Sequence, residues 1–291
     1  MTLSITLVSP DPQGLADAVR LLDGALALSP PRILGPGALD FTSGGDLSSL
    51  RLATGEALAG LAVDYCVQPT AGRRKRLLIA DMDSTIIGCE CLDELADFAG
   101  VKAAVSEITE RAMRGELEFE GALRERVAML AGLDLSALKD CYEQRVRLNP
   151  GARTLVTTMA AHGARCLLVS GGFTYFTTRV AEAAGFHEDR ANRLIEAAGA
   201  LTGQVADPIL GREAKLAALR QESGRLGLDL SATVAIGDGA NDLAMIEAAG
   251  LGIAYRAKPL VAARADARID HADLTALLYF QGYEAEAFRE T

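Results

Sequence analysis

The sequence predicts an α/β protein whose main sheet is parallel and covered by helices on both faces. Short apolar segments, which predict buried strands, alternate with amphipathic helical segments from Lys75 onward. A change in composition near residue 72 separates this region from a first segment that is rich in Gly, Pro, Leu and Ala and has few charges. We therefore predict a small N-terminal α+β module over residues 1–72 and a larger domain over residues 73–291.

The N-terminal module is predicted to begin with a strand over Leu3 to Val8 and a helix over Gln13 to Leu28. The following stretch is interrupted by prolines and has room for one or two strands. A short helix near Glu56 to Leu61 and a strand at Val63 to Val67 complete an order typical of ferredoxin-like modules. The basic run from Arg73 to Arg76 then predicts a solvated face or a linker end at the domain boundary.

The larger domain is predicted to contain four short apolar strands, with helices between them. The strands are Leu77 to Ala80, Cys166 to Val169, Thr233 to Ile236 and Leu251 to Tyr255. The helices are Ala152 to His162, Phe173 to Ala184, Arg212 to Leu226 and Asn241 to Ala249.

Two further segments interrupt this alternation of strands and helices. The block from Glu90 to Gln144 has a helical pattern throughout, so we predict a helical cap insert at about residues 88–147. Ala191 to Val205 alternates weakly and contains glycines, which predicts a small hairpin.

Composition excludes several functional classes. The 291 residues include 39 acidic and 29 basic side chains, and the net charge of -10 argues against a nucleic-acid or anionic-membrane partner. The sequence shows no membrane span and no signal peptide, so we expect a cytoplasmic protein. The five cysteines are scattered and odd in number, so we expect thiols and no disulfide framework, including at the C-x-C of Cys89 and Cys91.

Polar turns follow three of the predicted strands. They are Asp81-Met82-Asp83, Ser170-Gly171-Gly172 and Asp238-Gly239-Ala240-Asn241-Asp242. Because the carboxyl ends of parallel strands lie at one edge of a sheet, these turns can converge. Lys215, on the helix before the third strand, can point to the same edge. Each feature alone also fits an ordinary turn or a surface lysine, so the specific signal is their occurrence together and in this order.

Acidic side chains that converge at one edge repel one another unless a cation is present. Asp81, Asp83, Asp238 and Asp242 offer the oxygen ligands that Mg²⁺ prefers, so we predict a magnesium site. Alternation places Asp81 and Asp83 on the same side of an extended chain. One of them can then act as nucleophile and ligand while the other transfers protons.

The second turn has the chemistry of a phosphate site. Ser170 offers a hydroxyl, and the glycine amides that follow it open a helix, which favours an anion. Lys215 would add a positive charge for the same phosphate.

These motifs resemble the haloacid dehalogenase superfamily. Its members combine a DxDx(T/V) motif, a strand-end Ser or Thr, a Lys and a late acidic motif on a Rossmann-like sheet. Within it the sequence is similar to the phosphoserine phosphatases over about residues 75–282. Further agreement lies in Ala191-Asn192-Arg193-Leu194 with Leu201-Thr202-Gly203, in Ala257-Lys258-Pro259 and in His271-Ala272-Asp273-Leu274.

The resemblance implies an Mg²⁺-dependent phosphatase that hydrolyses O-phospho-L-serine, in the last step of serine biosynthesis. Asp81 would be the nucleophile that forms an aspartyl-phosphate, and Asp83 would be the general acid and base. The metal would be held by Asp81, the Asp83 backbone carbonyl and Asp238, with Asp242 in its outer shell.

The resemblance also assigns the substrate-binding residues. In the cap, Glu90 matches a carboxylate that faces the substrate ammonium, and Arg126 matches an arginine that holds the substrate carboxylate. Met113 and Phe119 match apolar residues that line the pocket. The phosphoryl group would be held by Ser170, Gly171, Gly172, Lys215 and Asn241.

Other functions remain open at this point. The same fold could act on another small phosphomonoester, such as phosphothreonine or phosphoethanolamine, or transfer the phosphoryl group to homoserine. A phospho-acceptor signalling domain also uses strand-end aspartates, a hydroxyl and a lysine, although the helical insert and the Asp238 to Asp242 motif argue against it. The N-terminal module resembles ACT-type regulatory modules in position only, and it is a candidate for homodimer contacts.

Overall fold

The computed structural model describes residues 1–113 and 116–290, except for the side chains of residues 112 and 113. These residues form a four-stranded antiparallel sheet, a six-stranded parallel sheet and a two-stranded hairpin. The predicted α/β class is confirmed, with a separate α+β module at the N-terminus. Among the described helices, none has the length and hydrophobicity that a membrane crossing requires.

The N-terminal module alternates strands and helices around the antiparallel sheet. Its elements are β1 (Thr2–Val8), α1 (Pro12–Ala25), β2 (Arg32–Gly35), β3 (Ala38–Gly44), α2 (Leu47–Ala57) and β4 (Asp64–Pro69). The sheet order β2-β3-β1-β4 is a ferredoxin-like topology. Helix α2 lies earlier than the predicted helix at Glu56 to Leu61, because Asp46 caps it and accepts a hydrogen bond from the Ser49 amide at 2.8 Å.

Both faces of the N-terminal sheet are covered, as alternation along β1 shows. Leu3, Ile5 and Leu7 pack in the cluster that also contains residues of α1 and α2. Val8 belongs instead to the main apolar cluster of the larger domain. On this second face Thr6 donates a hydrogen bond to Asp40 at 2.8 Å. The module is therefore docked against the larger domain through one face of its sheet.

The basic run that we expected to be a solvated face or linker end is held against the protein. Arg73 donates from its two terminal nitrogens to the two carboxylate oxygens of Asp40, at 2.8 and 3.0 Å. Such bidentate pairs fix orientation as well as contributing energy. Lys75 is buried, and its ammonium donates to the Ser231 carbonyl at 2.8 Å. Arg73 thus joins the larger domain to the N-terminal module, whereas Lys75 fixes the start of the larger domain against the residues before β10.

The larger domain is built on the six-stranded parallel sheet, whose order is β12-β11-β10-β5-β6-β7, and on the hairpin of β8 and β9. In chain order its strands are β5 (Leu77–Ala80), β6 (Arg165–Phe173), β7 (Glu188–Asn192), β8 (Leu194–Ala197), β9 (Ala200–Val205), β10 (Thr233–Gly237), β11 (Gly252–Tyr255) and β12 (Ala267–Ile269). The two edge strands, β7 and β12, are absent from the sequence predictions because β7 is polar and β12 has only three residues.

Four helices follow β5 before the chain returns to the sheet in β6. They are α3 (Cys91–Phe98), α4 (Lys102–Met113), α5 (Phe119–Ala128) and α6 (Ser136–Arg145). All four lie inside the segment for which the sequence predicts a helical insert. We call this group of helices the cap.

Side chains of the central strands pack in two apolar layers, one on each face of the sheet. In β5, Leu78 and Ala80 enter one cluster while Leu77 and Ile79 enter the other, and all four are fully buried. This is the pattern of a parallel strand between helices. The remaining helices are α7 (Ala152–Ala161), α8 (Thr174–Ala184), α9 (Ala214–Arg225), α10 (Leu243–Ala248), α11 (Pro259–Ala262) and α12 (Ala276–Phe280).

Asp64, the first residue of β4, binds the N-terminal module to the end of β12. Its carboxylate accepts hydrogen bonds from the backbone amides of Asp270, His271 and Ala272, at 2.9, 3.1 and 2.8 Å. The side chain is only 3% exposed. Burial raises the pKa of Asp64, and the three amides oppose that rise.

We expect Asp64→Asn to destabilise the protein by about 1–3 kcal/mol, because one amide oxygen cannot serve the three donors. Urea unfolding followed by circular dichroism measures this loss. The control is Asp23→Asn, at an exposed position on α1, which we expect to leave the midpoint unchanged. Equal midpoints for the two variants would contradict the role of Asp64 in docking.

Candidate active site

The carboxyl ends of β5, β6 and β10 lie side by side in the centre of the parallel sheet. Strand β5 pairs with β10 on one side and with β6 on the other. Since the strands run in the same direction, the turns that follow them emerge at one edge. The structure thus brings together the three polar segments that are far apart in the sequence. Ser170 to Gly172 were predicted as a turn, but they form the irregular last part of β6, where the register shifts between Val169 and Phe173.

Lys215 joins two of the acidic side chains at this edge. Its Nζ lies 2.5 Å from Asp81 Oδ1 and 2.5 Å from Asp242 Oδ1. All three residues are at most 5% exposed. Asp238 completes the group, because one carboxylate oxygen from each of the three aspartates lies within 4.8 Å of the others. Among the residues that the structure describes, two carboxylates therefore contact one ammonium group, and a third carboxylate lies beside them.

The pKa values of this group show a shortage of positive charge. Burial raises the pKa of Asp81 well above its ordinary value; Asp242 adds to the rise and Lys215 opposes it. Burial and Asp242 also raise the pKa of Asp238. Burial acts to lower the pKa of Lys215, but the two carboxylates outweigh it and raise that pKa. A divalent cation among these oxygens would supply the missing charge, and an all-oxygen donor set suits Mg²⁺.

Asp83 lies on the turn after β5, where its carboxylate is held from two sides. Its Oδ2 accepts a hydrogen bond from the Ser170 hydroxyl at 3.0 Å, and its Oδ1 accepts one from the Cys91 amide at 2.9 Å. Ser84 follows with φ of 55°, a left-handed conformation that is uncommon for a residue other than glycine. Burial raises the pKa of Asp83, and these hydrogen bonds oppose the rise.

Glycine at position 172 allows this approach. A Cβ atom on Gly172 would lie 3.0 Å from Ser170 Oγ and 3.1 Å from Asp83 Oδ2. The Gly172 amide also donates a hydrogen bond to Ser170 Oγ at 2.8 Å. The Ser170 to Gly172 segment therefore positions the hydroxyl between the Gly172 amide and the second aspartate of the DxD motif.

The Asp238 to Asp242 motif folds into one compact turn. The Oδ2 atom of Asp242 accepts hydrogen bonds from the amides of Asp238 and Gly239, at 3.2 and 3.0 Å. A Cβ on Gly237 would lie 2.4 Å from Asp242 Cγ, so only glycine leaves room for this carboxylate. Asn241 is half-buried on the same turn, with its side-chain oxygen against Gly239.

The cap closes over the edge of the sheet at Phe119 and Glu90. A Cβ on Gly171 would lie 3.3 Å from Phe119 Cζ, so the ring lies directly against the predicted phosphate turn. Glu90 Oε1 accepts a hydrogen bond from the Ser84 hydroxyl at 2.6 Å. The side chain of Met113, at the end of α4, lies outside the described residues.

Glu90 and Arg126 lie near each other in the cap without forming an ion pair. Arg126 Nε donates to the Ala122 carbonyl at 3.3 Å, and no described carboxylate reaches its guanidinium within salt-bridge distance. Burial lowers the pKa of Arg126, while Asp93 and Glu90 act in the opposite direction. Glu90 as a whole is exposed, but desolvation of its carboxyl group raises its pKa to about 7, with a smaller contribution from Asp83. The cap therefore presents one cation and one carboxyl group that a polar ligand can satisfy.

Two contacts at this site have no role in the sequence predictions. Asn192, at the end of β7, donates to the Gly171 carbonyl at 2.8 Å and accepts from the Leu210 amide at 2.7 Å. Asn192 lies in a segment that resembles the phosphoserine phosphatases, so that resemblance could have identified it as a site residue. The contact of Cys91 with Asp83 uses a backbone amide, which leaves no trace in residue type.

A family model described as haloacid dehalogenase-like hydrolase matches residues 78–247. A curated phosphoserine phosphatase from Polaromonas sp. is 43% identical over 228 residues, which cover 77% of this chain and 97% of the relative. A phosphoserine phosphatase from Streptomyces coelicolor is 44% identical over 252 residues, or 86% of this chain. The chain spans only 61% of the Streptomyces relative's length.

Solved structures show the same similarity. A probable phosphoserine phosphatase from Vibrio cholerae superposes with a TM-score of 0.79 and 31% identity, covering 98% of this chain and 88% of that chain. A structure described as the phospho-aspartyl intermediate analogue of phosphoserine phosphatase gives 0.66 and 38%, covering 71% and 99%. Because the family model spans more than half of the sequence, including the acidic turns after β5 and β10, the chain belongs to the haloacid dehalogenase-like hydrolase family.

Proposed function

We propose that this chain is a phosphoserine phosphatase, which hydrolyses O-phospho-L-serine to L-serine and inorganic phosphate. The observation that carries the proposal is the buried group of Asp81, Lys215 and Asp242, with both Nζ to carboxylate distances at 2.5 Å, beside the hydrogen-bonded pair of Asp83 and Ser170. The name shared by the curated relatives supports the substrate. Membership of a hydrolase family favours turnover over a signalling phospho-acceptor.

The acidic group fits an Mg²⁺ ion. We propose that Asp81 and Asp238 bind it through their carboxylates and Asp83 through its backbone carbonyl, while Asp242 supports the ligands from outside. Three carboxylate oxygens within 4.8 Å of one another give the hard donors that this ion requires. When bound, the ion would offset the negative charges of the phosphate and the attacking carboxylate.

Asp81 would be the nucleophile. Its Oδ1 contacts Lys215, whereas no described residue donates a hydrogen bond to its Oδ2. The second oxygen is therefore available to attack phosphorus and form an aspartyl-phosphate. The solved structure of a phospho-aspartyl intermediate analogue, from a protein 38% identical to this chain, supports this assignment.

Asp83 would transfer protons in both halves of the reaction. It would protonate the seryl oxygen as that group leaves, and then accept a proton from the water that hydrolyses the aspartyl-phosphate. The Ser170 hydroxyl and the Cys91 amide fix the orientation of its carboxylate. Its raised pKa increases the fraction that carries a proton to donate.

The phosphoryl oxygens would be held by the two turns that flank Asp81. Ser170, the amides of Gly171 and Gly172, Lys215 and Asn241 are the proposed ligands. Lys215 is already fixed by two carboxylates, so it would need little rearrangement when the substrate binds. Asn192 would support this arrangement because it binds the Gly171 carbonyl.

The cap would recognise the amino acid. Glu90 would face the substrate ammonium, and Arg126 would hold the substrate carboxylate with its planar fork. Phe119 and Met113 would line the pocket, and the contact of Phe119 with Gly171 would exclude water. A pair of opposite charges suits an α-amino acid better than phosphoethanolamine, which has no carboxylate; phosphothreonine and transfer to homoserine are the remaining alternatives.

We also propose a cytoplasmic enzyme of serine biosynthesis that has neither nucleic acid nor membrane as a partner. Its N-terminal module would be the contact surface of a homodimer. The homodimer proposal is supported by β2, which is an edge strand whose apolar residue Ile33 is 73% exposed.

We expect Asp81→Asn to reduce turnover of phosphoserine by about four orders of magnitude or more, because an amide cannot attack phosphorus. Phosphate release measures this loss, and thermal unfolding checks that the fold remains. Asp83→Asn is the comparison, since it keeps the nucleophile. With p-nitrophenyl phosphate, whose leaving group needs no proton, we expect this comparison variant to accumulate acid-stable phosphoenzyme. Retained turnover in Asp81→Asn would refute the nucleophile assignment.

We expect Arg126→Ala to raise KM for phosphoserine about 10- to 100-fold, because a charge-assisted interaction with the substrate carboxylate is lost. KM for p-nitrophenyl phosphate, which has no carboxylate, changes far less. Arg124→Ala is the matched control, since Arg124 is on the same helix but pairs with Asp207 at 2.6 Å. Equal effects of Arg126→Ala on both substrates would show that Arg126 does not bind the carboxylate.

The pKa of about 7 at Glu90 gives a pH test of ammonium recognition. Below that pKa the carboxyl group is neutral and no longer attracts the ammonium. We expect the ratio of kcat/KM for phosphoserine to that for p-nitrophenyl phosphate to fall about tenfold between about pH 8 and pH 6. Both substrates have a phosphate group that ionises, so the ratio removes the effect of that ionisation on kcat/KM. In Glu90→Gln this ratio becomes independent of pH; an unchanged slope would assign the titration to another group.

A further inference from the structure

Two thiols lie beside the site and have no part in the proposed reaction. Cys89 and Cys91 are on the segment that joins the turn after β5 to helix α3. The Cys91 thiol interacts with the Cys89 sulfur, and the Cys89 thiol donates a hydrogen bond to the Arg145 carbonyl at 3.8 Å. Cys91 is 1% exposed, whereas Cys89 is only half-buried. A small reagent can therefore reach one sulfur of two cysteines that are only two residues apart.

This segment touches the turn after β5 through three consecutive residues. The Cys89 carbonyl accepts a hydrogen bond from the Ser84 amide at 3.3 Å, and Glu90 accepts one from the Ser84 hydroxyl at 2.6 Å. The Cys91 amide donates a hydrogen bond to the Asp83 carboxylate at 2.9 Å. Any change in the backbone between the two cysteines is therefore transmitted to Asp83 and Glu90.

The spacing allows a bond between the two sulfurs. Cα atoms two residues apart can be separated by at most about 7 Å, and disulfides form at Cα separations of about 4.4–6.8 Å. Glu90, between the cysteines, has φ of -97° and ψ of 105°, so the chain is not fully extended there. A disulfide needs only a small further contraction of this segment.

Cys89 also has the environment of a reactive thiol. The hydrogen bond from Cys91 is the largest cause of a lowered pKa at Cys89, which burial and the nearby acidic groups oppose. A lowered pKa increases the thiolate fraction, and the thiolate is the form that attacks peroxides.

We propose that Cys89 and Cys91 form a reversible disulfide when the enzyme meets hydrogen peroxide, and that this bond inactivates the adjacent site. The effect on turnover rests on the proposed function, whereas formation of the bond does not. The Cys89 thiolate attacks one peroxide oxygen, so an S–O bond forms, the O–O bond breaks and hydroxide leaves as water after protonation. Cys91 sulfur then attacks Cys89 sulfur, so the S–S bond forms and the S–O bond of the sulfenic acid breaks; the hydroxyl group leaves with the Cys91 thiol proton as a second water. The two sulfurs lose two electrons in total, and peroxide gains them.

The disulfide changes the site through the backbone. It closes a small ring around Glu90, which moves the Cys91 amide away from Asp83 and the Glu90 carboxyl group away from Ser84. Asp83 loses a contact that orients it for proton transfer, and a dithiol that reduces the bond restores it.

The positions of the cleavage sites make the bond simple to detect. Trypsin releases residues 77–102 as one peptide, because the sequence has no Lys or Arg between Arg76 and Lys102. That peptide contains Cys89 and Cys91 and no other cysteine. Cys141 is buried on α6 and interacts with Cys89, but trypsin releases it in the separate peptide of residues 140–145.

The experiment treats the full chain with hydrogen peroxide, blocks free thiols and follows both the peptide mass and the turnover of p-nitrophenyl phosphate. We expect peptide 77–102 to be lighter by two hydrogens and unblocked, in step with a loss of kcat/KM of at least about tenfold. Dithiothreitol restores both. Cys89→Ser keeps its activity and resists peroxide, whereas Cys141→Ala stays sensitive.

The proposal is overturned by any of three results. Activity loss while both thiols can still be blocked would place the damage elsewhere. A cross-link between peptides 77–102 and 140–145 would identify a bond to Cys141 instead. A disulfide in peptide 77–102 with unchanged turnover would show that the bond is no switch. Because the peptide mass is independent of any substrate, failure of the phosphoserine assignment is distinguished from failure of this inference.

Discussion

The position of one buried ammonium group governs the site. Lys215 lies between Asp81 and Asp242, with no more than 5% of any of the three residues exposed. Removing one partner from a buried ion pair typically costs about 3–5 kcal/mol, since the other charge remains without compensation. Helix α9, which carries the lysine, and the turn after β10, which carries Asp242, must therefore keep their places relative to β5. Asp81 becomes both the end of the central strand and the centre of the charged group.

The surrounding sheet makes this arrangement possible. The central strands are buried on both faces, so polar groups can appear only where the strands end. Gly237 then admits the Asp242 carboxylate, and Gly172 admits Ser170 and Asp83. Apolar layers fix the strand ends, and small residues let the functional groups approach to hydrogen-bond distance. The cap adds Glu90 and Arg126, which we propose as the partners of the substrate's charged groups.

Much of the candidate site could be predicted from the sequence, because its side chains directly follow apolar runs that predict buried strands. Asp81, Asp83, Ser170 and Asp238 each mark the end of a predicted strand, and the structure places them at one edge. The edge strands β7 and β12 were not readable, since they are polar or very short and owe their conformation to pairing with a neighbour.

Long-range contacts account for the other differences. The basic run after residue 72 looks like a solvated linker until Asp40, far away in the chain, supplies a partner for Arg73. The Cys91 amide is another such case, because a backbone donor is the same in every residue except proline. Patterns of residue types predict where polar chemistry emerges from a fold, but not which distant backbone groups will stabilise it.

Helix α12 of the larger domain depends on the N-terminal module for its burial. All of its residues, Ala276 to Phe280, are buried, and it packs against β1 and β4 of the N-terminal sheet. Gln68 of that sheet donates to the Phe280 carbonyl at 2.7 Å inside the contact. A truncated chain that began at β5 would expose the apolar surface of α12 to water and would tend to aggregate. The larger domain and the N-terminal module are therefore best expressed as one unit, even though their sheets are separate.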